Sequence, residues 1–400
     1  MIFTGDEWMF VRSSQLDQLK NSISNSTIKV IYGVRRAGKT TLLEQFRSYL
    51  RRQGVASQRI IYHDLDRLLT RLSSPATIFA QIKKELIIGK TNYVFLDELE
   101  CLPNYAQLVA RLRSLPAVDL YVTSSEAGIQ SLAATFPCSL VYLGPLRFSE
   151  FINYHHQEAS LATLYQYLNT GGFPFAQEIR SHATIQNYFE EVLSTVIING
   201  FARQDGLCSP RLAMQLATFL TKQAGRLTNV SQAVAALQDA KINVSNKTLA
   251  SYLSFLQRCF LFTPCPALDL RTGKAKVTNR QYFPVDSCFN WLLANHHGAL
   301  SAANLTTVVF NELRARGFTV YTHQVGRYPV TFIAVRDGQR HFFQFNFSLL
   351  TSAAYQQAST GLRHAPASCP RTLITAKPYL GDTSQAPFQT VDLIDWLMEK

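Results

Sequence analysis

The stretch that decides the fold is KVIYGVRRAGKTTLLEQF, Lys29 to Phe46. Val30, Ile31 and Tyr32 are apolar and partly β-branched, the pattern of a buried parallel strand. Gly33 to Thr40 then reads G-x-x-x-x-G-K-T, the spacing of a phosphate-binding P-loop. Leu42, Leu43 and Phe46 return at helical spacing, so a helix opens at the loop. Glycine at 33 and 38 permits backbone conformations closed to other residues, which turns successive N–H groups into an anion cradle at a helix N-terminus. Gly33, Val34, Arg35, Arg36, Ala37, Gly38, Lys39, Thr40 and Thr41 are therefore the expected nucleotide-binding residues. Lys39 brings a point charge to the β- and γ-phosphates, and Thr40 offers a hydroxyl to Mg²⁺.

A second motif bears on hydrolysis. Tyr93 to Glu98 reads YVFLDE, an apolar strand ending in two acids. Two carboxylates at a strand end are costly unless they have a role there. Asp97 is the expected holder of the Mg²⁺ shell, and Glu98 the group that polarises the attacking water. Further on, DLYVTSS at Asp119 to Ser125 is a strand ending in hydroxyls, where a γ-phosphate sensor would sit; Ser124 is the sensor expected.

Length and composition set the limits. The chain of 400 residues suits two or three domains, and 47% hydrophobic against 16% charged residues allows each a sizeable core. A formal net charge of +12 favours contact with nucleic acid or another anionic surface, while a merely basic soluble protein stays open. The 7 cysteines form no C-x-x-C pair, which argues against a zinc signature or disulfide framework and fits a reducing cytoplasm. The opening MIFTGDEWMF lacks the run of a signal peptide, and no stretch reaches the length of a membrane span. Cytoplasmic location without membrane contact is the expectation.

Taken in order, Leu16, Leu19 and Ile23 suggest a leading helix. Arg12 reads as a solvated surface arginine, with a place near the adenine as the alternative. RIIYHDL at Arg59 to Leu65 and Ser139 to Leu143 add strands, with helices between, so a parallel sheet with crossover helices is expected. After Phe151 the composition turns helical, interrupted by TGGFPF at Thr170 to Phe175. Val230 to Leu237 is one helix; Ser245 caps another, with Leu249, Tyr252, Leu253 and Leu256 inward. That order is helix-turn-helix, presenting Asn246 and Lys247 with Ser251 and Ser254. A basic hairpin wing holding Arg271, Lys274 and Lys276 follows; ordinary helical packing or protein binding remains the alternative. Pro329 to Ser348 reads as a hairpin around Asp337-Gly338. The pairs His155-His156 and His296-His297 lack ligand partners at metal spacing and read as surface histidines.

With these motifs in hand, the chain resembles the prokaryotic AAA-type ATPases that join an AAA_14 ATPase domain to a C-terminal domain of unknown function, relatives of origin-recognition and STAND-like ATPases. GVRRAGKTTLL, YVFLDELECLP, GPLRFSEF at Gly144 to Phe151, YLNTGGFP at Tyr167 to Pro174 and VVFNELRARGFTVY at Val308 to Tyr321 carry the likeness. The resemblance implies an α/β P-loop NTPase domain with helices on both faces of a parallel sheet, then a helical and winged-helix domain, then a small α+β nuclease-like domain. The expected boundaries are 1–152, 153–283 and 284–400. It implies ATP and Mg²⁺ as ligands, bound by Lys39, Thr40, Asp97 and Glu98. Two departures stand out. The sensor strand ends in Thr123, Ser124, Ser125 and Glu126, and FPCS at Phe136 to Ser139 lacks the usual Gly-Arg, leaving Arg111, Arg113 and Arg147 as unranked candidates for a finger-type trigger. In the nuclease-like part Thr331, Gln344 and Asn346 stand where acids and a lysine are expected, and Glu312 is the acid that survives.

The expected function is a Mg²⁺-dependent AAA-type ATPase switch that engages duplex DNA. The rivals are a scaffold ATPase that binds protein partners and not DNA, and an ATP-gated nuclease. A protein partner and a homo-oligomer both stay open.

Overall fold

The computed structural model describes residues 10–67, 74–201, 209–224, 230–239, 241–294, 300–325, 328–378, 380–381 and 385–399. His296 and His297 lie outside them. The chain forms two compact units. One holds residues up to Gly144 together with Arg258–Phe260, and the other holds most of the chain from Pro145 onward.

The first unit runs α1 (Ser13–Asn21), β1 (Ile28–Tyr32), α2 (Lys39–Arg52), β2 (Ile60–Asp64), α3 (Pro75–Glu85), β3 (Asn92–Asp97), α4 (Tyr105–Arg113), β4 (Val118–Ser124), α5 (Leu132–Thr135) and β5 (Cys138–Tyr142). The five strands pair in parallel in the order β2-β3-β4-β1-β5. Alternate residues of each strand face opposite sides, as the period of a strand requires. One face buries Ile31, Phe95 and Tyr121 against Leu16 and Leu19 of α1 and Leu42, Leu43 and Phe46 of α2. The other buries Val30, Val94 and Val122 against Ile78 and Ile82 of α3 and Leu108 and Leu112 of α4. Each such aliphatic or aromatic side chain contributes about 1.5–3 kcal/mol on burial, so both helical layers are anchored many times over. Helices therefore cover both faces, as the sequence leads one to expect.

One pair interrupts this apolar interior. Lys29, near the start of β1, is fully buried and donates to Asp119 near the start of β4. Tyr121 Oη and the Ser24 N–H also donate to Asp119. Burial pulls Lys29 below its ordinary pKa, opposed by its bond to Asp119. Arg12 departs from the surface reading: it is buried, and Nη2 donates to the Gly144 carbonyl at 3.1 Å.

The second unit opens with α6 (Phe148–His155) and α7 (Leu161–Thr170), then α8 (His182–Phe201), α9 (Pro210–Lys222), α10 (Val230–Asp239) and α11 (Asn246–Arg258). A mixed seven-stranded sheet follows, ordered β12-β11-β10-β9-β8-β6-β7. Its strands are β6 (Phe262–Leu268), β7 (Ala275–Pro284), β8 (Thr319–Val325), β9 (Tyr328–Arg336), β10 (Gln339–Asn346), β11 (Arg371–Thr375) and β12 (Gln389–Asp392). Interleaved are α12 (Cys288–Ala294), α13 (Ala302–Ala315), α14 (Ser352–His364) and a terminal α15 (Leu393–Met398). The expected boundary at 283/284 therefore cuts through one sheet. β6 bonds in parallel to β8 through Ala267 and Thr322, which joins the β6–β7 hairpin to the C-terminal strands.

The segments PLRF and TGGFP lock together inside this unit. The Leu146 N–H donates to the Gly172 carbonyl at 2.6 Å, and Tyr167 Oη donates to the Leu146 carbonyl. A Cβ on Gly172 would stand 2.4 Å from that Leu146 carbonyl oxygen, so no larger residue fits. Buried Asp286 accepts the Gly172 and Cys288 N–H groups. Burial pushes its carboxyl up to about 6 despite these donors.

Candidate nucleotide site

The P-loop, the paired acids and the hydroxyl-ended strand converge at the carboxyl ends of β1, β3 and β4. This follows from the strand order, because β4 lies between β1 and β3. Carboxyl ends are where open parallel sheets place their ligands.

Residue type governs the loop. Gly33 takes φ +153°, and a Cβ there would lie 2.0 Å from the Leu143 carbonyl oxygen. Arg36 (φ 67°) and Gly38 (φ 98°) are left-handed, and Gly38 leads directly into α2. Such alternation turns N–H groups toward a common centre, an anion nest at the start of a helix. Val34 and Ala37 are buried and fasten the loop to the body of the domain. Thr41 follows in the first turn of α2.

Lys39 Nζ donates to the Gly33 and Val34 carbonyls at 3.2 and 3.1 Å and to Ser125 Oγ at 2.7 Å. Ser125 Oγ in turn lies 2.9 and 3.1 Å from the two oxygens of Glu98. Glu98 Oε1 is 3.7 Å from Lys39 Nζ, and Glu98 Oε2 is 3.8 Å from Arg35 Nη1. Arg35 is pinned by Asp66, whose Oδ2 accepts Nη2 at 2.6 Å. Burial alone would raise the Glu98 carboxyl; Lys39, a bond from Glu100, Arg35 and Ser125 together outweigh it and hold Glu98 below its usual pKa. Glu98 also adopts a left-handed backbone (φ 54°), an unusual conformation for a non-glycine residue that is found where a site over-determines it.

Asp97 is buried among hydroxyls. Thr123 Oγ1 donates to Oδ1 and Tyr62 Oη to Oδ2 at 2.9 Å, and the Thr40 hydroxyl bonds the same carboxylate. Burial raises the Asp97 carboxyl, with those three donors pulling the other way. Thr40 and Asp97 thus bring a hydroxyl and a carboxylate together, hard oxygen donors of the kind Mg²⁺ takes. The donor set fits that ion.

The hydroxyl that meets Lys39 and Glu98 belongs to the residue after Ser124, the one expected. Ser124 Oγ donates to the Glu126 carbonyl and accepts the Glu126 N–H, so it caps its own turn. Ser125 occupies the site instead, because the strand ends at Ser124 and the following residue swings toward Lys39. Thr123, Tyr62 and Asp66 were missed by sequence reading. Thr123 sits in a run of hydroxyls, which was a signal; Tyr62 and Asp66 gave none, since strand order alone brings them here.

In the second unit Ser245 Oγ accepts the Thr248 N–H, and Asn246 and Lys247 are exposed at the start of α11. Leu249, Tyr252, Leu253 and Leu256 are buried. Arg271, Lys274 and Lys276 are exposed around the β6–β7 turn. Asp269 shapes that turn by accepting the Arg271 and Thr272 N–H groups. Glu312, the acid that sequence comparison singled out in the C-terminal part, is already paired. Buried Glu312 accepts Arg316 Nε at 2.8 Å and Arg147 Nη1 at 3.2 Å. Thr331 and Gln344 are committed to the β9–β10 ladder, where Gln344 Oε1 accepts the Thr331 N–H and Thr331 Oγ1 accepts the Phe345 N–H. Among the described residues no cluster of three His, Cys, Asp or Glu suits a metal.

A parallel sheet ordered β2-β3-β4-β1-β5, with a glycine-rich loop after β1, acids after β3 and a hydroxyl after β4, defines a P-loop ATPase domain of AAA type. The family model AAA_14, an AAA domain, matches residues 25–152, and a domain of unknown function, DUF8612, matches residues 161–295. An uncharacterized protein of Haemophilus influenzae is 28% identical over 98% of this chain and 99% of its own. Another, of Methanocaldococcus jannaschii, is 24% identical over 73% of this chain and 67% of its own. Among solved structures, a Walker-type ATPase of Pyrococcus abyssi aligns with TM-score 0.48 and 16% identity, covering 71% of this chain and 95% of that one. The ORC1 protein of Aeropyrum pernix in complex with DNA aligns with TM-score 0.33 and 12% identity, covering 73% and 94%. No helix among the described residues is long and apolar enough to cross a membrane.

Proposed function

We propose that the first unit binds ATP with Mg²⁺ and hydrolyses it to ADP and phosphate, and that this turnover switches contacts which the second unit makes with duplex DNA. The observation that carries the catalytic part is the Glu98 carboxylate, held ionised by Lys39 and Arg35 and oriented by Ser125. A base fixed beside the phosphate cradle is what in-line attack by water needs. Thr40 and Asp97 would hold Mg²⁺, which when bound would supply charge to offset that of the phosphates. Lys39 binds the β- and γ-phosphate oxygens. Glu98 orients the water and takes its proton. Ser125 keeps the Glu98 carboxylate from turning.

The DNA part rests on the net charge of +12, on Asn246 and Lys247 at a capped helix start, and on three exposed cations around the β6–β7 turn. Their chemistry suits phosphate contacts, with Asn246 also able to read a base edge. The second unit is not a nuclease in this reading, because Glu312 is spent on two arginines and Thr331 and Gln344 on backbone N–H groups. Steady-state release of phosphate from ATP, with and without duplex DNA, is the test. An inert protein under Mg²⁺ defeats the ATPase reading; turnover indifferent to DNA, with no DNA binding at low salt, favours the scaffold reading.

A further inference from the structure

Phosphoryl transfer spreads negative charge over the γ-phosphoryl oxygens, and a second cation beside the P-loop lysine accelerates it strongly. The arginines that sequence suggested for this part are engaged elsewhere. Arg147 pairs with Glu312. The Arg111 guanidinium stands over the Phe79 ring, 4.0 Å from its centroid. Arg113 acts on Lys29 and Cys138, at the amino ends of β1 and β5, whereas the site lies at the carboxyl ends.

Arg35 is different. It stands two residues after Gly33, in the loop itself, with its side chain only 17% exposed. Nη2 is tied to Asp66 at 2.6 Å, while Nη1 is buried, has no hydrogen-bond partner, and faces Glu98 Oε2 at 3.8 Å. Asp66 is itself fixed: its N–H donates to Asp64 Oδ1, and its Oδ1 accepts Cys101 Sγ at 3.2 Å. The Glu98 carboxylate is therefore straddled, with Lys39 on one oxygen and Arg35 on the other. A guanidinium anchored through one nitrogen, with the other aimed at the catalytic carboxylate, is a preorganised donor.

We propose that Arg35 supplies the second cation of the hydrolytic site from within the same chain: anchored by Asp66, it donates Nη1 to the γ-phosphoryl group of ATP during hydrolysis. The inference rests on the ATP-hydrolysing reading above. In the step it serves, the water oxygen bonds to the γ-phosphorus as the bond to the β,γ-bridging oxygen breaks. That oxygen keeps the electron pair and leaves as ADP, and the water proton passes to Glu98. Arg35 stays protonated throughout, as a guanidinium does.

The test combines Arg35→Ala, Arg35→Lys and Asp66→Asn with two readouts, affinity for a fluorescent ATP analogue and steady-state kcat. Arg35→Ala is expected to lower kcat by about 10³-fold with analogue affinity within about threefold of wild type. Arg35→Lys, which keeps the charge and loses the fork, falls between, and so does Asp66→Asn. Guanidinium ion added at millimolar concentration restores part of the Arg35→Ala rate. Turnover per chain stays constant across protein concentration, and mixing Arg35→Ala with Lys39→Ala chains restores nothing. Unchanged kcat in Arg35→Ala, a loss of affinity parallel to the loss of kcat, or recovery on mixing would each overturn the proposal. A wild-type chain that binds the analogue yet never hydrolyses ATP would instead remove the reading beneath it.

Discussion

Lys39 Nζ and Glu98 Oε1 stand 3.7 Å apart across the end of the sheet, and one hydroxyl, Ser125 Oγ, lies within hydrogen-bond reach of both side chains. The P-loop lysine and the strand-end carboxylate are thereby one bonded unit, so under the proposed function changes at each residue should separate binding from chemistry in distinct ways.

Lys39→Ala removes the charge at the cradle. Nucleotide affinity is expected to fall at least about 100-fold, roughly 2.8 kcal/mol. Titration of the folded variant with a fluorescent ATP analogue measures it, and wild-type affinity would refute the assignment.

Glu98→Gln leaves the cradle in place and removes the base. ATP is expected to bind at near wild-type affinity while kcat drops about 10³-fold, within the range of general-base removal. Phosphate release at the wild-type rate would move the role to another residue.

Ser125→Ala and Ser124→Ala should diverge. Loss of the Ser125 hydroxyl frees the Glu98 carboxylate to rotate, and kcat is expected to fall about tenfold or more. Loss of the Ser124 hydroxyl strips a turn cap, at about 1 kcal/mol of stability and no more than about twofold in kcat. The opposite pattern in paired kinetic and thermal-melt measurements would restore Ser124 as the sensor.

Lys247→Glu, and Arg271→Glu combined with Lys274→Glu, are expected to weaken duplex binding and to flatten the dependence of log K on log salt by about one unit for each phosphate left without its cation. Basal ATP turnover stays the same. Binding isotherms over a salt series decide, and a wild-type chain that ignores DNA at low salt defeats this prediction.

Glu312→Ala strands Arg147 and Arg316 against a buried site. Breaking a buried pair of this kind costs about 3 kcal/mol, so the melting transition should drop by several degrees. Plasmid and linear DNA are expected to survive both wild type and variant with Mg²⁺ or Mn²⁺. Cleavage by wild type that vanishes in the variant would make the protein a nuclease.

The local parts of this architecture were open to sequence reading. Strand, glycine loop and helix at Lys29 to Phe46 follow from neighbouring residues, as does the hairpin turn at Asp337-Gly338. Strand order was not, because the position of β4 between β1 and β3 depends on contacts between residues far apart in the chain. The same distance hid Asp66 and Tyr62 beside the site, and Arg147 on Glu312; Arg316, one helical turn from Glu312, was within reach of sequence reading. The exchange of Ser125 for Ser124 shows how short a slip matters: neighbouring residues of an extended chain face opposite ways, and composition does not say where the strand stops.

The buried pair of Lys29 and Asp119 sits at the amino ends of the strands, remote from the cradle, yet it bears on where Ser125 emerges. Lys29 is aligned with Tyr121, two residues along from its partner, so all three side chains share a face. A one-residue slip of β4 would carry Asp119 to the opposite face and leave a bare ammonium ion in an apolar interior. The pair therefore works as a locating pin: it admits one alignment of β4 on β1, and the far end of β4 delivers a hydroxyl to the lysine as a result.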